Sequence, residues 1–184
     1  MIVAAGGAAP PDTAFDNFNR SDGPLGSNWT TVTGLAAPAI VSNQATVGTN
    51  NTDNAAYYNA VSPTSNQYAY AVWTSSSGDG GVAARMQSAA ATFYLCHIYA
   101  NFYLNIYEVT EGSFVSRANT TLTISSGDII RIECTGTNPT SISFKVNGTE
   151  RLSYSDTSPI ENGKPGIHCY DNTTTFNSWG GGSL

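Results

Sequence analysis

Basic charge is scarce in this chain, with seven lysines and arginines in 184 residues against thirteen aspartates and glutamates, a formal charge of −6. The seven are scattered rather than gathered into a stripe, which argues against a nucleic-acid partner. The mild acidity serves solubility. No apolar run approaches the ~20 residues that a membrane-spanning helix needs, and a membrane partner is not expected. The start, Met1-Ile2-Val3-Ala4-Ala5-Gly6-Gly7, has no basic residue and only a short apolar stretch, so it makes a poor secretory signal. Either a leader has been trimmed away or the chain is made in a cytoplasm.

Cysteine is also sparse. Cys96, Cys134 and Cys169 are odd in number and lie in apolar runs. This favours buried free thiols over a disulfide scaffold. A single Cys96–Cys134 or Cys134–Cys169 bridge stays open. With two histidines far from one another and no Cys-x-x-Cys pair, a zinc site is not expected. Gly-x-Ser-x-Gly elbows and phosphate-binding loops are missing.

Helix-building runs of Leu, Ala, Glu and Lys are missing as well. What is plentiful is strand material: ten Tyr, seven Phe and three Trp in a background rich in Thr, Ser, Asn and Gly. From Phe15 onward, turn signals recur roughly every ten residues, the spacing of an all-β sandwich. They include Asp22-Gly23-Pro24, Ser42-Asn43, Gly78-Asp79-Gly80-Gly81, Ser126-Gly127-Asp128 and Asn162-Gly163. Ile142–Val146 alternates cleanly and runs into Asn147-Gly148, a type I′ hairpin signal leading to Thr149–Tyr154. The expected architecture is one two-sheet antiparallel jelly roll over residues 14–184, preceded by an Ala/Gly/Pro-rich arm over residues 1–13. That arm is read either as a loose terminus or as an anchor, through Ile2, Val3, Pro10 and Pro11, that orders against a neighbouring subunit.

Thr92–Tyr99 and Phe102–Val109 flank Ala100-Asn101, which reads as a two-residue turn. That register would pair Tyr94 with Tyr107, Cys96 with Asn105 and Ile98 with Tyr103 on one face. It would leave Leu95, His97, Tyr99, Phe102, Leu104 and Ile106 as core. Tyr94, Asn105 and Tyr107, with Tyr103 nearby, then form a candidate sugar platform; ordinary cross-strand aromatic packing is the competing reading. His97 and His168, each alone in an apolar strand, read as satisfied core residues. Arg85 and Arg131 read as structural, each needing a carboxylate.

The segment Asp16-Asn17-Phe18-Asn19-Arg20-Ser21-Asp22-Gly23-Pro24-Leu25-Gly26-Ser27-Asn28-Trp29 resembles the opening of laminin-G-like domains in the concanavalin A-like lectin/glucanase superfamily. Gly81–Arg85, Ser126–Gly136 with the later Val146-Asn147-Gly148, and Gly163–Ile167 resemble further stretches of that pattern, in the expected order. The resemblance implies a two-sheet jelly roll with a concave face. Openings of this kind are similar to those of bacteriophage tail and surface proteins and of secreted carbohydrate-active proteins. The scaffold alone does not decide function.

Catalysis is not expected. Glucanases of this fold place two carboxylates ~5–5.5 Å apart, which on one strand requires alternate positions. Glu108 and Glu111 are three apart and would face opposite ways. Lyases of a similar jelly roll carry a Gln-x-His strand with a partnering Tyr, and neither His97 nor His168 follows that pattern. No cofactor is expected. Calcium stays open through Asp16, Asp22, Asp79, Asp128, Asp156 and Asp171, all at strand ends or in loops. The competing reading is of solvated turn aspartates. Asn177 and Trp179 stand where the family often has an acidic residue in its last strand, which weakens the case for a metal there.

The function expected from these features is a non-enzymatic virion-surface protein, a bacteriophage head decoration or small tail-associated protein. It would be made in the host bacterial cytoplasm and would contact capsid or tail subunits, a host-surface glycan, or further copies of itself. The alternative is a carbohydrate-binding module, phage-borne or secreted and extracellular, and behind it a degenerate glycoside hydrolase or lyase.

Overall fold

A computed structural model describes residues 13–184, and all of their regular structure is strand. Ile2, Val3, Pro10 and Pro11 lie outside the described residues. In chain order the strands are β1 (Thr13–Asp16), β2 (Gly23–Pro24), β3 (Trp29–Thr31), β4 (Pro38–Val41), β5 (Gln44–Val47), β6 (Asn54–Tyr58), β7 (Gln67–Trp73) and β8 (Asp79–Met86). They continue with β9 (Phe93–Tyr99), β10 (Tyr103–Thr110), β11 (Ser113–Thr121), β12 (Ile129–Thr135), β13 (Thr140–Val146), β14 (Thr149–Asp156), β15 (Lys164–Cys169) and β16 (Phe176–Ser183). Strand β1 starts one residue inside the span assigned to the arm, with Thr13 opposite Gly182.

Two antiparallel sheets face each other. A nine-stranded sheet runs β14-β13-β12-β7-β16-β5-β4-β2, with β1 also paired to β16; a seven-stranded sheet runs β11-β10-β9-β8-β15-β6-β3. Alternation decides what lies between them. Ala69, Ala71 and Trp73 of β7, Ile130, Ile132 and Cys134 of β12, and Ile142 and Phe144 of β13 face inward from the first sheet. Val82 and Ala84 of β8, Tyr94, Cys96 and Ile98 of β9, Leu104 and Ile106 of β10, and Ile167 of β15 meet them from the second. Each large side chain of this kind contributes ~1.5–3 kcal/mol by leaving water. The three cysteines are free and buried, as the sequence suggests.

The family-like opening is a structural knot. The Asp16 carboxylate accepts from Arg20 (2.7 and 2.9 Å), from the Trp29 indole (2.7 Å) and from the Phe18 amide (2.8 Å). Trp29 then packs against Tyr58 and Trp179, with ring centroids 5.3 and 4.8 Å away. Arg131 has its carboxylate in Glu133 of the same strand, 2.6 Å away. Arg85 does not. It is fully buried, and its guanidinium donates to the Thr140 hydroxyl and to the carbonyls of Ile160, Ser65 and Gly136 at 2.6–2.9 Å. Neutral acceptors converging from three loops replace the expected ion pair.

The Asn147-Gly148 hairpin forms as read, with φ of 50° and 78°. The β9–β10 hairpin differs. Ala100 and Asn101 do take positive φ, but Tyr99 pairs with Tyr103, so three residues make the loop. The cause is Asn101. Its side-chain oxygen accepts from the Trp73 indole and the Gly78 amide, both at 3.1 Å, and its carbonyl accepts from Ile124. Held from outside the hairpin, the loop takes in Phe102 and the register slips by one, which exchanges the faces of β9. Tyr94 therefore points into the inter-sheet core, while His97 and Tyr99 join Tyr103, Asn105 and Tyr107 on the outer face. Leu95 also leaves the predicted core for that face, and Phe102 is half exposed in the loop.

Candidate functional site

The outer face of the seven-stranded sheet is strongly concave. Phe114 on β11 and His168 on β15 have three strands between them, which in a flat sheet would separate their backbones by about 19 Å. Their rings are 5.7 Å apart. A second cluster of buried residues fills one end of the hollow: Tyr57, Ala83, Met86, Phe93, Leu95 and Val109, with Tyr107 and Phe114 packed against it. The other end is open. It forms a cavity of about 320 Å³ lined by Asp53, Asp79, His97, Tyr99, Tyr103, Asn105, Tyr107, Phe114 and His168.

Strand register assembles the floor. His168, Gly81, His97, Asn105 and Asn119 lie opposite one another on five successive strands. Gly81 is required there: a Cβ would meet the Cys96 carbonyl oxygen at 1.9 Å. Bare backbone between the two histidines leaves room for their rings, whose centroids are 6.0 Å apart.

Each histidine holds one aspartate. His97 Nε2 lies 2.6 Å from Asp79 Oδ1, and His168 Nε2 lies 2.9 Å from Asp53 Oδ1. A carboxylate only accepts, so Nε2 carries the proton in both rings. The two Nδ1 atoms are buried with no partner among the described residues. A proton there would be an orphaned donor, so both rings are favoured as neutral. Burial pushes the His168 pKa below its ordinary value, against the opposing pull of Asp53. The hydrogen bond from His168 in turn lowers that of Asp53.

The aspartates are held from behind as well. The Asp79 amide donates to the Thr174 hydroxyl at 2.7 Å. Asn54, next to Asp53, ties the preceding loop through the Gly48 and Thr49 amides and the Thr49 and Thr52 carbonyls.

The walls are aromatic. Tyr107 stands edge-on to His97 at 5.4 Å and to Phe114 at 6.0 Å. Its phenol is pushed upward by burial and by the nearby Asp79 charge. Tyr99 is half exposed at the rim. Asn105 is buried, its side-chain oxygen accepting from Ser116 at 2.8 Å.

Of the four proposed sugar-contacting residues, Tyr103, Asn105 and Tyr107 line this cavity and Tyr94 does not. Tyr94 is buried on the opposite face, where its hydroxyl donates to Asp156 at 2.6 Å and accepts from the Ile160 amide. His97 and His168, read from the sequence as core, are floor residues of the site. Their partners are Asp79, weighed from the sequence as a calcium ligand or a solvated turn aspartate, and Asp53, which the sequence did not single out.

The six aspartates offered for calcium do not converge. Asp16 binds Arg20 and Trp29; Asp22, Asp128 and Asp171 accept from nearby loop amides; Asp156 accepts from Tyr94; Asp79 accepts from His97. Among the described residues no three His, Cys, Asp or Glu side chains are grouped to hold a metal. Glu108 is paired with Arg117 at 2.8 Å and does not line the cavity.

No family model matches the chain, and no curated protein sequence does. Solved structures do. The carbohydrate-binding module CBM66 from Bacillus subtilis superposes with a TM-score of 0.63 at 15% identity, over 85% of this chain and 93% of its own. The Emp47p carbohydrate recognition domain gives 0.58 at 10% identity, over 97% and 100%. A Bacillus licheniformis β-glucanase gives 0.57 at 10% identity, over 96% and 100%. Two antiparallel sheets, one of them hollowed on its outer face, and these superpositions over nearly the whole chain identify the fold as a concanavalin A-like jelly roll.

Proposed function

We propose that this chain is a carbohydrate-binding domain that takes a saccharide in the hollow of the seven-stranded sheet. The observation that carries the reading is the cavity itself. It sets the rings of Tyr99, Tyr103, Tyr107 and Phe114 around Asp53, Asp79 and Asn105. A sugar presents apolar C–H faces, which pack on aromatic rings, and hydroxyls, which donate to carboxylates and amides; a pocket with both kinds of lining suits such a ligand. Likeness to a carbohydrate-binding module and a carbohydrate recognition domain supports it.

Binding without turnover is part of the proposal. A glycosidase needs one carboxyl kept protonated as acid, and Asp53 is driven the other way by His168. A place on a phage particle is a separate proposal, carried by the Ala/Gly/Pro-rich residues 1–13 and by the likeness of the Asp16–Trp29 opening to those of phage tail and surface proteins.

The test is titration calorimetry against saccharides selected on a glycan array. Tyr99→Ala, Tyr103→Ala and Tyr107→Ala are each expected to weaken binding by ~1–3 kcal/mol, with no reducing ends released from xylan or laminarin. Absence of any saccharide ligand, or affinities untouched by all three substitutions, would overturn the proposal.

A further inference from the structure

We infer that the saccharide taken by this pocket carries a free amine, so that a hexosamine unit is preferred over the neutral parent sugar and over any uronate. The inference rests on the glycan reading above and narrows it to a class.

It starts from the charge inside the hollow. Two carboxylates, Asp53 and Asp79, line one cavity, and no lysine or arginine lines it with them. Six of the seven basic side chains are committed elsewhere: Arg117 to Glu108, Arg131 and Lys145 to Glu133, Arg20 to Asp16, Arg85 to buried carbonyls and Lys164 to the Asn59 and Val61 carbonyls; the seventh, Arg151, does not line the cavity. The histidines do not compensate either. Each donates through Nε2 while its buried Nδ1 has no acceptor among the described residues, which favours the neutral ring. The cavity thus holds two negative charges.

Each carboxylate spends Oδ1 on a histidine, and neither Oδ2 has a protein partner among the described residues. Two anionic acceptors at the edge of an aromatic enclosure form a receptor for an ammonium group. The carboxylates supply charge-assisted hydrogen bonds, and the ring faces of tyrosine and phenylalanine attract the cation. A neutral hydroxyl would gain the hydrogen bonds without the charge. A sugar carboxylate would meet Asp53 and Asp79 as a like charge.

A divalent cation is the competing occupant, and the oxygens are too few for it. Calcium takes six to eight oxygen ligands. The floor offers the two free Oδ2 atoms, and the Asn105 oxygen already accepts from Ser116.

The experiment is calorimetric titration of the whole chain with glucosamine, galactosamine and mannosamine and with their short oligomers. The same sugars in N-acetylated form, the parent hexoses and the corresponding uronates are run alongside, with and without EDTA. N-acetylation removes the charge and keeps the ring, so it isolates the amine. At least one amino sugar is expected to bind about tenfold more tightly than its N-acetyl and parent forms. That preference should shrink with added salt and disappear in Asp53→Asn and Asp79→Asn. Asparagine retains an acceptor for the histidine, so these variants keep the floor, and a far-ultraviolet spectrum verifies their fold. Equal or tighter binding of parent, N-acetyl or uronate forms overturns the inference and leaves the glycan site standing, as does binding abolished by EDTA. No binding of any of these sugars by the unaltered chain counts against the inference and the glycan reading together.

Discussion

At the scale of single residues, two tyrosines in the same hairpin have opposite duties. Tyr107 faces the hollow; Tyr94 is sealed between the sheets, where its hydroxyl both donates to Asp156 and accepts from the Ile160 amide. Removing that hydroxyl leaves a buried carboxylate and a partly buried amide short of a partner, at ~1–3 kcal/mol for such groups. Tyr94→Phe is therefore expected to lower the denaturant midpoint and to leave saccharide affinity unchanged, because the residue does not line the cavity. Chemical denaturation beside calorimetry checks both halves, and an affinity loss at full stability would put Tyr94 back in the site. Sequence alone cannot separate these tyrosines, since both stand on alternating strands and differ only in which neighbour they face.

The elements show where legibility stops. Alternation along Ile130–Cys134 and Ile142–Val146 specifies strands and their buried faces directly, and Asn147-Gly148 specifies its own turn. Tyr103, Asn105 and Tyr107 share a face for the same local reason. The β9–β10 register is not local: Asn101 answers to Trp73 and Gly78, 28 and 23 residues away, and those bonds lengthen the loop. The Asp–His pairs are more remote still, Asp53 and His168 being 115 residues apart. No pattern within one strand reveals a partner that arrives through the order of a sheet. Asn101→Ala removes acceptors from the Trp73 indole and the Gly78 amide, and the expected cost is ~1–3 kcal/mol. The pairing of Tyr99 with Tyr103 is expected to loosen with it. Amide hydrogen exchange at β9 and β10 reads that loosening, and unchanged protection there would show that Asn101 does not hold the register.

Across the whole molecule, the hollow ties stability to pH. His168 has a folded pKa below its ordinary 6.5 because it is buried. As pH falls below about 6.5 the unfolded chain takes up this proton before the folded chain does, so stability declines until the folded value is passed. Asp53 acts in a lower window. Its folded pKa is depressed below 3.8, so its contribution is present above that value and is lost as pH falls through the folded one. The denaturation midpoint should thus fall from pH 6.5 downward, and more gently in His168→Gln, which keeps a donor towards Asp53 but does not titrate. The same slope in both proteins would assign the acid sensitivity to other groups.

Gly81 has one more consequence. Between the two histidines the sheet is bare backbone, and even a methyl group there would strike the neighbouring strand. Heritable variation is therefore partitioned within the hollow. Position 81 is closed to change, whereas a half-exposed rim position such as Tyr99 has open space around it for other side chains. Descendants of this chain would diversify what they recognise by redecorating the rim around a fixed glycine, and that glycine is the position by which they could be traced.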